Sequence, residues 1–166
     1  MTTKTKSSRM ESLVALYDMH TDFFAKAIDG ISDSDSHNRL NTKANHPAWL
    51  AGSMVEGRFE MAKELGPDKD IKQEAFKLFE NHQGIKDETE YPSMDSYLHD
   101  WKRISPLLRK LYVDMTDEKL DSQFEMPEMK MSYYEFISFI IYREANIIGQ
   151  LVLWRRLLGY ESIKYD

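Results

Sequence analysis

The chain has 166 residues, 42 % hydrophobic and 30 % charged, with 28 acidic against 22 basic side chains for a net charge of −6. That is enough chain and enough apolar residue for one globular domain with a real core, and 12 % aromatics argues against extended disorder or a repeat array. The absence of cysteine excludes a disulfide scaffold, thiolate metal sites and a cysteine nucleophile, and no basic stripe exists to neutralise a nucleic-acid backbone.

Met1 to Arg9 is polar and basic and reads as a flexible tail ahead of a single domain over residues 10–166. The apolar stretch after it is cut by Asp18, well short of the roughly 7–15 apolar residues of a signal peptide. With no cysteine and no targeting segment, a cytoplasmic location is expected. Leu13, Leu16, Tyr17, His20, Phe23, Phe24 and Ala27 recur at three and four, which is one face of a first helix, ended by Asp29-Gly30. A second helix starts at Asn45 or His46, with Pro47 in its first turn, and stops at Leu65-Gly66-Pro67. Between it and the third, Gln73 to Phe79 predicts a short extra helix and Gly84 to Glu90 a loop.

Ser93 is the N-cap of a third helix that runs to about Met115, with Pro106 predicting a kink or break near Ser105. Thr116 caps a short turn to Leu120, and Gln123 to Met131 is at most a short extended piece. Ser132-Tyr133-Tyr134-Glu135 is a capping box, opening a fourth helix that reaches Leu158 with Gly159 at the C′ position. Its greasy run, Phe136 to Tyr142, leads into Arg143 and Glu144, so no membrane span is expected. The pattern predicts an all-α protein, a four-helix bundle with a long crossover connection and the short extra helix between helices two and three.

Most catalytic signatures are missing: no glycine-rich phosphate loop, no His-Glu-x-x-His pair and no Gly-x-Ser-x-Gly elbow. The five histidines share no metal-binding spacing. His20 alone lies on an apolar stripe, where a hydrogen-bonded core histidine is the plain reading and a base or ligand the sharper one. On the fourth helix Arg143, Ile147 and Gln150 are in line with Phe136 and Ile140, which buries Arg143 and Gln150 at least partly. On the second, Trp49, Ser53, Glu56 and Glu60 share a face, and Glu56 is the natural mate for Arg143. Two readings follow: a structural ion pair that fixes helix register, or a polar pocket at the bundle centre formed by His20, Trp49, Ser53, Glu56, Arg143 and Gln150.

The same stretches carry a resemblance. Glu144 to Gly159, with Gly149-Gln150 and Arg155-Arg156-Leu157-Leu158-Gly159, resembles the last helix of the DinB-like four-helix bundles, and Pro47 to Ser53 with Leu65-Gly66 is similar to their second helix. The family includes metal-dependent thiol transferases, and the resemblance implies three histidine ligands for a divalent metal such as Zn or Ni. Those positions fall on Ser53, Arg143 and Ile147, none of them histidine. Isoleucine has no donor atom and a guanidinium is a permanent cation, so no metal or other cofactor is expected.

The resulting expectation is a metal-free DinB-like domain, leaning away from catalysis, with a small-molecule-binding, partner-binding or structural role at the degenerate metal-site pocket. The alternative is a metal-dependent enzyme of the thiol transferase or hydrolase type, with His20 and His46 as reserve ligands. A homodimer is expected from the aromatic and methionine surplus, with neither nucleic acid nor membrane as a partner.

Overall fold

The computed structural model describes residues 4–126 and 129–165. The chain enters by a 3-10 turn, Ser8–Met10, capped by the Ser7 side chain. Residues 4–9 are not the loose tail expected from composition, and the first three residues of that expectation lie outside the described ones. Thr5 and Ser7 are buried, the Lys6 amide donates to the Val113 carbonyl at 2.9 Å, and Ser7 Oγ donates to Asp117. A polar sequence is consistent with docking when each buried hydroxyl finds an acceptor.

Helix α1 spans Glu11–Ile28 and ends where Gly30 takes φ 70°. A single turn, α2, Asp33–Ser36, follows under a Ser32 cap. Helix α3, Pro47–Leu65, starts as its sequence predicts, with Pro47 in the first turn and the His46 ring nitrogen accepting from the Trp49 amide. Burial and the adjacent His37 push the His46 pKa down to about 4, which keeps that nitrogen free to cap. The short extra helix is only a 3-10 turn, Phe76–Leu78, and a second one, Glu80–His82. Neither has a side-chain cap, and Asn81 turns left-handed at φ 57°, so no α-helix propagates.

Helix α4, Met94–Val113, begins at the Ser93 cap and runs unbroken through Pro106. Proline removes one backbone donor, but the neighbouring turn is held by side chains: Ser105 Oγ donates to the Trp101 carbonyl and the Tyr17 hydroxyl to the Ser105 carbonyl. Burial of Trp101, Ile104, Leu108 and Tyr112 on both sides of the proline makes the continuous helix worth more than a break. Helix α5, Asp117–Asp121, has its Thr116 cap. The segment after it is a hairpin, β1 Gln123–Met126 and β2 Met129–Ser132, antiparallel with Phe124 opposite Met131. Phe124 stacks flat on Phe136, centroids 3.9 Å apart, which pins the hairpin to helix α6, Tyr133–Leu157. The capping box of α6 is complete, and Gly159 closes it at φ 88°.

Helices α1 and α3 each pack against both α4 and α6, so the four long helices surround a shared interior. One apolar cluster gathers Phe24, Val55, Trp101 and Leu151, and the other Val14, Met61, Leu108 and Ile137. Among the described residues the hairpin is the only sheet, and the protein is all-α. By length and apolarity α6 is sufficient to cross a bilayer, which the short greasy run did not convey. Here it packs between α1 and α3 and carries a buried carboxylate, Glu144.

Candidate functional site

The interior between α1, α3, α4 and α6 holds a charged centre that the sequence reading missed. Arg58 of α3 is fully buried, with Nε 2.7 Å and Nη2 2.9 Å from the two oxygens of Glu144 on α6. Its Nη1 donates to Thr21 Oγ1 at 2.8 Å and to Ser105 Oγ at 2.7 Å. The guanidinium is sandwiched between the rings of Tyr17 and Trp101, at 3.8 and 3.5 Å from their centroids. His20 joins from α1, its Nδ1 3.2 Å from Glu144 Oε2. Burial alone would raise the Glu144 pKa, but Arg58 and His20 outweigh it and hold the carboxyl below its ordinary value. His20 is therefore a partnered core histidine, and it stands apart from the pocket described next.

The expected Glu56–Arg143 ion pair is not formed. The Arg143 side chain donates from Nη2 to Ser53 Oγ at 2.8 Å, and Glu56 accepts from Gln73 Nε2 at 2.5 Å. Arg143 forms no ion pair with a carboxylate among the described residues. Gln150, expected to face inward, is exposed and donates to Asn146 at 2.7 Å. Its stripe was read one residue out of phase. The buried row is Ile137, Ile141, Glu144, Ile148 and Leu151, with Ile147 of the expected stripe buried beside it, and that places the half-buried Arg143 at the edge of the core instead of its centre.

At that edge lies a cavity of about 470 Å³ between α3, α6 and the hairpin. Trp49, Ser53, Glu56 and Arg143, four of the six predicted pocket residues, line it, whereas His20 and Gln150 do not. Apolar side chains make much of the remaining wall, Met61 from α3, Phe136 and Ile140 from α6, and Phe124, Met129 and Met131 from the hairpin, and Glu60, Glu64, His82 and Gln83 line it too. Methionines give such a wall side chains that readily change shape around an occupant. Gly57 also faces the cavity, and a Cβ there would lie 3.0 Å from Arg143 Nη1. The absent side chain is what leaves room for the guanidinium against the helix.

The two charged groups of the cavity that burial perturbs, Arg143 and Glu56, are under-compensated, whereas Glu60 pairs with Lys63 and Glu64 accepts from the Tyr133 hydroxyl. Burial holds Arg143 below its ordinary pKa, only partly offset by Glu144. Burial pushes the Glu56 carboxyl above its ordinary value, opposed by the Gln73 hydrogen bond and reinforced by Glu60. The Trp49 indole N–H is buried without a partner among the described residues. The site does not fit the divalent metal that the resemblance implies. Ser53 and Arg143 touch, but a hydroxyl, a guanidinium and the buried, apolar Ile147 supply no ligand set. His46 is engaged at the start of α3 and His20 at Glu144, and no group of three His, Asp or Glu side chains converges as a metal site among the described residues.

No protein-family model matches the chain, and no curated protein matches it either.

Proposed function

We propose that the protein is a divergent DinB-like bundle whose degenerate metal-site pocket binds a small molecule without a metal. The observation that carries this reading is Arg143 itself: a half-buried cation on the wall of a largely apolar cavity, held by the Ser53 hydroxyl and, among the described residues, by no carboxylate. A charge in that position is desolvated without full compensation until something of opposite sign arrives. The contact between Ser53 and Arg143, two of the positions where the resemblance implies metal ligands, supports the family reading. A fixed positive charge would stand there in place of a bound cation.

The test is saturable binding of a neutral apolar dye, Nile red, to the purified protein. One dye per chain, lost when Gly57→Leu fills the cavity from the helix side, supports the reading. An absence of saturable binding, or binding that Gly57→Leu leaves unchanged, rejects it. Near-stoichiometric Zn, Ni, Mn or Fe in the purified protein would reject the metal-free part. The exposed apolar side chains of α6, Phe139, Tyr142, Leu153 and Leu157, support a homodimer as the assembly, and light scattering at the monomer mass of 19.6 kDa across concentrations would reject that.

A further inference from the structure

Among the charged side chains of the cavity wall, Arg143 and Glu56 are of opposite sign and do not pair with each other. Arg143 projects from α6 and is anchored over Gly57 by the Ser53 hydroxyl. Glu56, the residue before Gly57, is turned toward Gln73. Glu60 lies one turn further along α3, also on the cavity wall, with its carboxylate 2.6 Å from Lys63 Nζ. Trp49, whose buried indole N–H has no partner among the described residues, lines the same cavity as Arg143 and Ser53. The cavity wall therefore carries a cation with a hydroxyl beside it, the carboxyls of Glu56, Glu60 and Glu64, and apolar side chains from three elements.

A purely anionic occupant would face Glu56, Glu60 and Glu64, and a purely cationic one would face Arg143. Each would relieve one desolvated charge and aggravate the other. An occupant bearing both signs relieves the two together. We infer that the pocket, read as a ligand site as above, takes a zwitterion with an apolar body: its carboxylate on Arg143 and Ser53, its ammonium on Glu56, and its hydrophobic part against Met61, Met131, Phe136 and Ile140. The guanidinium suits a carboxylate because its parallel N–H groups match two oxygens at once. Methionine and phenylalanine walls accept an aromatic or a branched aliphatic body without demanding one shape. The ligand class is therefore an apolar α-amino acid or a close derivative that keeps both charges.

Calorimetric titration with biphenylalanine, its deaminated acid and its decarboxylated amine separates the possibilities, with Nile red displacement measured alongside. The zwitterion is expected to bind at least tenfold more tightly than either singly charged analogue and to displace the dye. Arg143→Met should weaken the zwitterion and the acid about tenfold and spare the amine. Glu56→Gln should weaken the zwitterion and the amine and spare the acid. The comparison of the three ligands on the unaltered protein stands even if a variant is unstable. Equal binding of the acid and the zwitterion overturns the inference in favour of an anion site, and equal binding of the amine and the zwitterion overturns it in favour of a cation site. Dye binding with none of the three as competitors overturns the ligand class while the pocket reading survives. Failure of the dye itself removes the pocket reading as well.

Discussion

Arg143 and Glu144 are neighbours on α6 and live in opposite electrostatic surroundings. Glu144 is buried against Arg58 and His20, both its oxygens accepting hydrogen bonds from them, while Arg58 in turn lies over the rings of Tyr17 and Trp101. Arg143, rotated about 100° around the helix axis, reaches the rim with one hydroxyl for company. The first centre is closed and saturated, and such a centre can orient helices but has no room for chemistry or ligands. The second is open and under-satisfied, which is the condition of a site that still has something to bind. Burial of a charge is therefore a poor guide to function by itself. The number of its partners separates scaffold from site.

The largest effect should come from opening the saturated centre. Arg58→Ala leaves Glu144 buried without its main counter-charge and should cost about 3–5 kcal/mol in chemical denaturation. A loss below about 1 kcal/mol would place Arg58 in the same class as a surface pair and erase the contrast.

The two carboxyls should also respond oppositely to pH. The folded pKa of Glu144 is depressed, so its stabilisation is present above its unfolded value near 4.5 and fades as pH falls through the folded one. The folded pKa of Glu56 is raised, so its contribution is present below the unfolded value and is lost as pH rises through the folded one. At neutral pH Glu144→Gln should therefore destabilise by about 2–3 kcal/mol, with the deficit shrinking in acid. Glu56→Gln should be neutral or stabilising at neutral pH, because the amide has no charge to desolvate. Urea denaturation of both variants across pH 3 to 8 measures this, and parallel profiles would contradict it.

Arg143→Met should change stability by less than about 1 kcal/mol, since the guanidinium contributes a single hydrogen bond to a neutral partner. A cost of several kcal/mol would show that Arg143 belongs to the scaffold after all. The smallest effect is expected from Gly57→Ala. Alanine improves helix propensity by up to about 1 kcal/mol, and the atom its Cβ meets is the far end of a flexible side chain. Stability should hold or rise slightly, while Nile red affinity falls as the guanidinium is displaced into the cavity. Unchanged affinity would disconnect Gly57 from the site.

The sequence by itself determined the long helices and most of their ends, because caps are local chemistry. His46-Pro47, Ser93, Thr116, the Ser132–Glu135 box and Gly159 each act through atoms a few residues away, and each works as read. Four of the six pocket residues were legible too, since Trp49, Ser53 and Glu56 share one face of a helix and Arg143 stands out on another. The tertiary structure decided everything that depended on rotation of one helix against the next. A helix as apolar as α6 has two plausible inward stripes a residue apart, and periodicity cannot choose between Phe136-Ile140-Arg143 and Ile137-Ile141-Glu144. A clue existed in Arg58, which falls in line with Leu50, Met54 and Ala62 on a buried face and so demands an acid of its own. The partner acid comes from a helix 86 residues away, and only packing brings it there. The same packing turned Glu56 toward Gln73, docked the polar N-terminal residues and carried α4 through Pro106. Each of those outcomes is a competition between local preference and buried contact, and the contact exists only once the helices have met.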